Sequence, residues 1–334
     1  MKVDGGVGFE LETVGAQASE LEEMGYSGIM TAETSHDPFF PLLVAAQHTE
    51  KVELLTSIAV AFARTPMIMA NIGHDLNAFS KGRLVLGLGS QIRPHITKRF
   101  SMPWSNPAAR MREYILAMRA IWATWHEGKP LEFTGKFYTH TLMTPMFTPT
   151  NNDYGAPKVF LAAVGPKMTE VAGEVADGMI VHAFTTEKYL RETTLPALER
   201  GFAKAGKSRE DFEISYPVFV VTGTNEEELA AAEVTTCKAI AFYGSTPAYK
   251  PVLDSIGAGE LQGELNSMSK QGRWDEMGTL ITPDVLKNFA VVGEPAAIAA
   301  QVKSRYGDLI DRTSAAYANI PKSDRKQIIT ELTA

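Results

Sequence analysis

Four titratable side chains stand where predicted strands end, which is where parallel α/β enzymes place reactive groups. They are Glu33, His36, His95 and His182. A histidine gains or loses a proton near neutral pH, so each of the three is a candidate for acid–base catalysis or for ligand contact. A structural, hydrogen-bonded histidine is the alternative for each, and a solvated loop carboxylate is the alternative for Glu33.

Other kinds of chemistry find no support in the spacing of residues. The histidines do not show metal-ligand spacing with a convergent carboxylate, since His36 and Asp37 are merely adjacent. The sequence has no Gly-x-Ser-x-Gly segment, and its single cysteine, Cys237, stands in a helical stretch. We therefore expect neither a metal site nor a nucleophilic hydrolase.

Two glycine-containing turns are candidate ligand sites. The segment from Gly87 through Gly89 and Ser90 to Gln91 follows a strand but lacks the third glycine of a dinucleotide fingerprint, and no helix is expected after it. These glycines would let a flat ring approach the backbone, although a tight turn is the simpler explanation. At Gly165 a strand ends in Ala163 and Val164 and a helix begins, which suits a phosphate or is an ordinary loop.

Short β-branched runs alternate with helical patterns along the chain, which is typical of a parallel α/β fold. We predict a (β/α)8 TIM barrel, as a single domain over 1–334 with insertions at about 131–157 and 244–288 on the C-terminal face; a doubly wound sheet is the alternative. The predicted strands cover 2–7, 28–32, 52–60, 83–88, 158–163, 178–182, 212–222 and 312–317. The predicted helices cover 11–24, 41–50, 66–79, 107–125, 187–205, 225–242, 294–306 and 322–332, with another beginning at Pro166.

Composition narrows the class of protein further. The chain has 334 residues, 45% of them hydrophobic and 21% charged, and a net charge of −7. An acidic chain without a basic stripe is not expected to bind nucleic acid. A single cysteine favours a reducing compartment, and the absence of a long apolar window favours a cytoplasmic protein without a membrane span.

Six segments in order along the chain resemble the luciferase-like monooxygenase superfamily, and within it the oxidoreductases that depend on the deazaflavin coenzyme F420. The matching segments are ASELEEMGYSGIMTAET (18–34), LTSIAVAFARTP (55–66), FSKGRLVLGLGSQ (79–91), AARMREYILAMRAIW (108–122), VFLAAVGPKMTEVAGEVADG (159–178) and FAVVGEPAAIA (289–299).

The resemblance implies an eight-stranded barrel that binds a flavin or deazaflavin over its C-terminal face. It also implies a cis peptide between Ser57 and Ile58, in a bulge that backs the ring. The cofactor-binding residues that it indicates are Thr34, Ser57, Ile58, Val60, Gly89, Ser90, Gln91, His95, Ala163, Val164, Gly165 and His182.

The sequence departs from the sugar-phosphate dehydrogenases of that superfamily. They have an Asp-His pair at the end of strand two, where this chain has Glu33-Thr34, with His36 two residues later. Ile92 replaces their glutamate, and Thr185 replaces their phosphate-binding lysine. We therefore do not expect a glucose-6-phosphate substrate. His36 is the first choice for the catalytic proton carrier and Glu33 the second.

The expected activity is hydride transfer between coenzyme F420 and a small organic substrate. One alternative is an FMN-dependent two-component monooxygenase with a partner reductase. A non-catalytic protein that binds F420 or a flavin is the other. The resemblance also implies a homodimer.

Overall fold

A parallel sheet forms the centre of the computed structural model, which describes residues 1–314, 317 and 320–334. In chain order the strands are β1 (Lys2–Gly6), β2 (Gly28–Thr31), β3 (Glu53–Thr56), β4 (Ala59–Val60), β5 (Leu84–Gly89), β6 (Phe133–Thr134), β7 (Thr139–His140), β8 (Lys158–Ala163), β9 (Gly178–Val181), β10 (Glu213–Tyr216), β11 (Phe219–Val221), β12 (Ala290–Val292) and β13 (Arg312–Ser314).

The sheet closes on itself. Its order is β3-β2-β1-β13-β10-β9-β8-β5-β4, and a further pairing of β3 with β5 joins the two ends. The register of that pairing places Leu54 beside Leu84 and Leu55 beside Val85. Because β3 and β4 are two pieces of one barrel position, the described residues form a closed parallel barrel of eight strands. The predicted barrel is confirmed, and the doubly wound alternative is wrong.

Helices follow most of the barrel strands. They are α1 (Leu11–Met24), α2 (Phe39–His48), α3 (Pro66–Phe79), α4 (Pro107–Glu127), α5 (Pro166–Val175), α6 (Glu187–Tyr189), α7 (Leu195–Ala205), α8 (Glu226–Gly244), α9 (Lys250–Ser255), α10 (Leu261–Lys270), α11 (Trp274–Met277), α12 (Pro283–Phe289), α13 (Pro295–Tyr306) and α14 (Lys322–Thr333). Among the described residues, no helix combines the length and apolar character needed to cross a bilayer.

Four local predictions need correction. The predicted strand 52–60 breaks after Thr56, and the predicted strand 212–222 breaks at Pro217, whose missing N–H cannot join a ladder. The short strand β12, which pairs with β11 outside the barrel, was not predicted. A helical turn at 93–99 forms after the glycines of β5, where none was expected. The predicted strand 312–317 is observed to Ser314, and residues 315–316 lie outside the described part.

The chain divides into two compact units. The first unit comprises Gly6–Ile180 and Ala197–Glu213, and the second comprises Met1–Gly5, Val181–Pro196 and Ile214–Ala334. Each has its own buried apolar cluster, around Phe160 in the first and around Phe289 in the second. The single-domain expectation stays a prediction.

Candidate functional site

The end of β3 is the first feature of the candidate site, which lies in the first unit. The peptide between Ser57 and Ile58 is cis, which confirms the expectation from the resemblance. The Ser57 N–H donates to the Thr31 carbonyl at 2.6 Å, and the Glu33 N–H donates to the Ile58 carbonyl at 3.0 Å. Two backbone hydrogen bonds therefore hold the break in β3 against the end of β2.

A buried ion pair supports this break. One carboxylate oxygen of Glu33, Oε2, accepts the Val60 N–H at 2.7 Å and an Arg64 guanidinium N–H at 2.7 Å. A second guanidinium nitrogen of Arg64 donates to Asp37 at 2.7 Å. Burial lowers the pKa of Arg64, but the hydrogen bonds and charges of Glu33 and Asp37 outweigh it, so the pKa is raised overall. Glu33 thus holds the backbone at Val60, and its Oε2 is engaged by two donors.

An apolar platform is formed by side chains of the barrel strands in this unit. Leu55, Val85, Phe160 and Ile180 form a buried layer. The partly buried side chains that pack against this layer are Met30, Ile58 and Ala162. Partly exposed apolar groups packed on a filled core present a surface that an apolar ring can contact.

The glycines of β5 let this platform form. A Cβ on Gly89 would lie 2.7 Å from Cδ1 of Ile58, and a Cβ on Gly87 would lie 1.9 Å from the Thr56 carbonyl oxygen. The hydroxyl of Thr56 donates to the Gly87 carbonyl at 2.7 Å. Any larger residue would therefore push β5 away from the end of β3.

The residues that follow β5 form a tight polar turn. Gln91 has a φ of 57°, which lies in the left-handed region. Its side-chain oxygen accepts the Ile92 N–H at 3.0 Å, and the Ser90 hydroxyl donates to the Gln91 carbonyl at 3.2 Å. Ser90 and Gln91 are both half-buried, so they remain accessible for contact with a ligand.

The Gly165 turn is open on its outer side. Gly165 is exposed, and a Cβ built on it would meet no atom within 4 Å. It precedes Pro166, the first residue of α5, whose ten residues are long enough to present a positive N-terminal end. Val164 is half-buried, whereas Ala163 is buried within β8. The turn therefore has the room and the polarity to accept a phosphate.

The loop after β2 carries the first-choice proton carrier. His36 is exposed, and its ring stacks on Phe9 with centroids 5.1 Å apart. The guanidinium of Arg99 donates to the Thr34 carbonyl and so joins this loop to the helical turn after β5. His95 lies in that turn and is also exposed. The structure thus places Thr34 and His36 on a loop contacted by Phe9 and Arg99.

His182 belongs to the second unit, and its contacts are made there. Its Nδ1 accepts the Phe184 N–H at 3.0 Å. Its ring stacks on Tyr249 with centroids 4.8 Å apart and forms a T-shaped pair with Tyr243 at 4.7 Å. Burial lowers its pKa to about 4, so the imidazole is neutral at neutral pH.

The structure brings together some of the predicted site residues and adds others. Contacts join Glu33 with Val60 and Ile58 with Gly89, whereas no contact among the described residues joins His36 with Glu33. Sequence reasoning did not select the following contributors, whose partners lie far away in the chain: Phe9, Met30, Asp37, Arg64, Arg99, Tyr243 and Tyr249. Within the described ranges, no three His, Cys, Asp or Glu residues are grouped as a metal site would require.

The fold class is a closed parallel barrel of eight strands, with a cis peptide after its third strand that lies beside the glycines of β5. The family model for luciferase-like monooxygenases matches residues 2–312, and the chain belongs to this family. It is 54% identical over 312 residues to an uncharacterized protein of Mycobacterium tuberculosis strain H37Rv, covering 93% of this chain and 92% of that protein.

Two reductases are more distantly similar. The chain is 25% identical over 288 residues to a 5,10-methylenetetrahydromethanopterin reductase of Archaeoglobus fulgidus, covering 86% of this chain and 83% of that protein. Its fold matches the solved coenzyme F420-dependent tetrahydromethanopterin reductase from Methanopyrus kandleri with a TM-score of 0.80 and 18% identity, covering 100% and 98% of the two chains. Proteins named as F420-dependent oxidoreductases are among both the relatives and the structural neighbours of this chain.

Proposed function

We propose that the protein is a coenzyme F420-dependent oxidoreductase that acts on a small organic substrate. The observation that carries the proposal is the platform of Met30, Ile58 and Ala162 beside the cis peptide of β3. Its partly exposed apolar surface is suited to contact with a planar tricyclic ring. The F420-dependent relatives and neighbours support the same reading.

The residues of the first unit fit both parts of the proposed cofactor. Ile58 would support one face of the ring, and Ser90 and Gln91 would provide polar contacts at its edge. Gly165 would leave the phosphate of the tail close to the α5 N-terminus, since no side chain fills that space. When bound, the deazaflavin supplies hydride transfer, because it has carbon where a flavin has its reactive nitrogen.

The protein's remaining task is to move one proton and to keep the backbone in place. His36 is exposed and its ring is oriented by Phe9, so it can exchange a proton with solvent and pass it to a substrate oxygen. Glu33 instead holds the Val60 N–H and Arg64, which favours a positioning role for its carboxylate. The proposed proton carrier is therefore His36.

A binding experiment tests the cofactor. Purified protein is titrated with F420 and, separately, with FMN, while the fluorescence of each ligand is followed. We expect saturable F420 binding that weakens when Gly165 is replaced by a bulky residue such as Phe. Tight FMN binding with no F420 signal would contradict the proposal.

Because the family is described as luciferase-like monooxygenases, an FMN-dependent monooxygenase is the second candidate function. It requires a partner reductase and rapid oxygen-dependent oxidation of the reduced cofactor, which stopped-flow absorbance in air would detect. The third candidate is a non-catalytic protein that binds F420. It predicts F420 binding without turnover of any substrate, and normal F420 binding by the His36→Ala variant.

A homodimer is part of the proposal. Phe40 and Leu43 on α2 and Ile68 on α3 are exposed, at 60%, 45% and 51% of their full surface. Large apolar side chains on outer helices are candidates for burial against a second copy. Sedimentation equilibrium of the wild type and of Phe40→Glu tests this: a dimer that the substitution dissociates is the expected result.

A further inference from the structure

A rigid aromatic cluster surrounds His182 in the second unit. His182 directly follows β9, Tyr243 lies in the last turn of α8, and Tyr249 precedes α9. The His182 ring lies face to face with Tyr249, at 29° and 4.8 Å, and edge to face with Tyr243, at 87° and 4.7 Å. The imidazole is therefore packed against two tyrosine rings, one nearly parallel to it and one nearly perpendicular.

One nitrogen of this imidazole already has a partner. Because Nδ1 accepts the Phe184 N–H at 3.0 Å, it carries no proton. The neutral ring then has its hydrogen on Nε2, which makes Nε2–H a donor. Burial lowers the pKa of His182 to about 4, which agrees with a ring that stays neutral. His182 thus offers a fixed, uncharged hydrogen-bond donor.

The neighbouring residues hold the cluster in one arrangement. The ring of Phe184 lies 5.6 Å from Tyr249 and 4.7 Å from Phe289, and both phenylalanines are buried in the apolar core of the second unit. Burial raises the pKa of Tyr249 to about 12, so its ring is also uncharged. The cluster therefore combines aromatic surface with one directed donor and carries no charge of its own.

This chemistry selects a ligand class. A neutral donor provides no attraction for a carboxylate or a phosphate that is comparable to that of lysine or arginine. A carbonyl oxygen satisfies the donor without bringing a charge into the aromatic surroundings, and an apolar or aromatic group next to the carbonyl gains contact with the tyrosine rings. Ketones and aldehydes with such a group meet both requirements.

We propose that His182, Tyr243 and Tyr249 form a substrate subsite, in which Nε2–H of His182 binds the carbonyl oxygen of an uncharged aromatic or apolar ketone or aldehyde. That the bound ketone or aldehyde is the substrate of an oxidoreductase rests on the proposed function. Binding of the ligand itself is a property of the second unit and can be measured without the cofactor.

The test uses acetophenone as the probe, with toluene as the analogue that lacks an acceptor and benzoate as the charged analogue. Dissociation constants are measured by saturation-transfer NMR on the full-length protein. His182→Phe keeps an aromatic ring and removes the donor, whereas His182→Gln restores an N–H. His140→Phe is the matched control, because His140 is a half-buried histidine of the first unit whose Nε2 has no partner.

We expect acetophenone to bind the wild type more tightly than toluene or benzoate. His182→Phe should weaken acetophenone binding about fivefold, the usual effect of one neutral hydrogen bond, and should leave toluene unchanged. His182→Gln should recover part of the loss, and His140→Phe should have no effect. Equal acetophenone affinity in the wild type and a folded His182→Phe variant, or a preference for benzoate, would overturn the subsite.

A parallel F420 titration separates this inference from the proposed function. The sequence analysis assigned His182 to the cofactor, whereas the subsite assigns it to the substrate. We therefore expect His182→Phe to bind F420 as the wild type does, and a matching loss of F420 affinity would support the cofactor assignment and refute the substrate assignment. If the wild type binds acetophenone through His182 but does not bind F420, the proposed function fails and the subsite stands.

Discussion

The pairing of Glu33 with Arg64 makes a sharp prediction about stability. Glu33 is 8% exposed, and Arg64→Met leaves its carboxylate with the Val60 N–H but without a cationic partner. Removing one partner of a buried ion pair lowers the free energy of unfolding by about 3–5 kcal/mol. Because the Val60 N–H still binds the Glu33 carboxylate, we expect a loss near the lower end of this range, about 3 kcal/mol, for Arg64→Met. Asp37 also loses a partner, but it is more exposed and its charge is better screened.

The double variant tests whether the cost comes from the stranded charge. Glu33→Gln alone keeps a side-chain acceptor for Val60 and a neutral partner for Arg64, so it should cost about 1 kcal/mol. Adding Glu33→Gln to Arg64→Met removes the unpaired carboxylate, so the double variant should be more stable than Arg64→Met alone by about 1–2 kcal/mol.

Urea unfolding followed by far-ultraviolet circular dichroism measures these free energies. The four proteins of the cycle are compared at pH 7 with their m-values, so that a change in midpoint can be read as a change in stability. Additive costs, or a double variant less stable than Arg64→Met, would refute the idea that Arg64 compensates a buried charge at Glu33.

Three further outcomes follow from other parts of the structure. Gly87→Ala should lower the free energy of unfolding by more than about 3 kcal/mol in the same urea assay, because its Cβ would lie 1.9 Å from the Thr56 carbonyl oxygen. The pKa of His182 in the folded protein is about 4, below the ordinary 6.5, because burial disfavours the charged ring. The neutral ring's contribution to the free energy of unfolding is therefore complete above pH 6.5, and up to about 3 kcal/mol is lost as the pH falls toward 4. His182→Phe should lack this loss between about pH 7 and 4.5. Arg110→Met removes hydrogen bonds to Tyr138 and to a backbone carbonyl, so protease should cut the 131–157 insertion faster while Arg110→Lys restores protection only in part.

Helix boundaries were largely predictable because their signals are local. The predicted helix 11–24 matches α1, and Gly25 ends it with a φ of 90°. The predicted helix 66–79 matches α3, which begins at Pro66 after a Thr65 side chain that caps the Ile68 N–H. A cap and a stop residue lie within a few positions of the element that they define, so one sequence is enough to find them.

Strand breaks were not predictable in the same way. The segment from Val52 to Val60 is mainly apolar, with Glu53, Thr56 and Ser57 as its polar residues, and nothing local shows that the pairing stops after Thr56. The strand β12 has three residues, and it is a strand only because β11, about 70 residues earlier, leaves the barrel after Pro217 and pairs with it. Whether such a short segment forms a strand depends on the strand with which it pairs, and the periodicity of the sequence does not identify that partner.

The same distinction between local signals and long-range contacts applies to the candidate functional site. The cis peptide at Ser57 was expected because it lies in a segment that resembles the family, and the turn at Gly165 was expected because a strand ends in small residues directly before Pro166. The partners that give His182 its chemistry come from elsewhere: Tyr243 follows the predicted end of a helix, and Tyr249 lies in the 244–288 insertion. If cofactor contacts reside in the family segments and substrate contacts in an insertion, exchanging residues 244–288 between members of the family should change which carbonyl compound is used and leave F420 affinity intact. In that case, sequence changes confined to the insertion would alter the choice of substrate without altering the proposed cofactor.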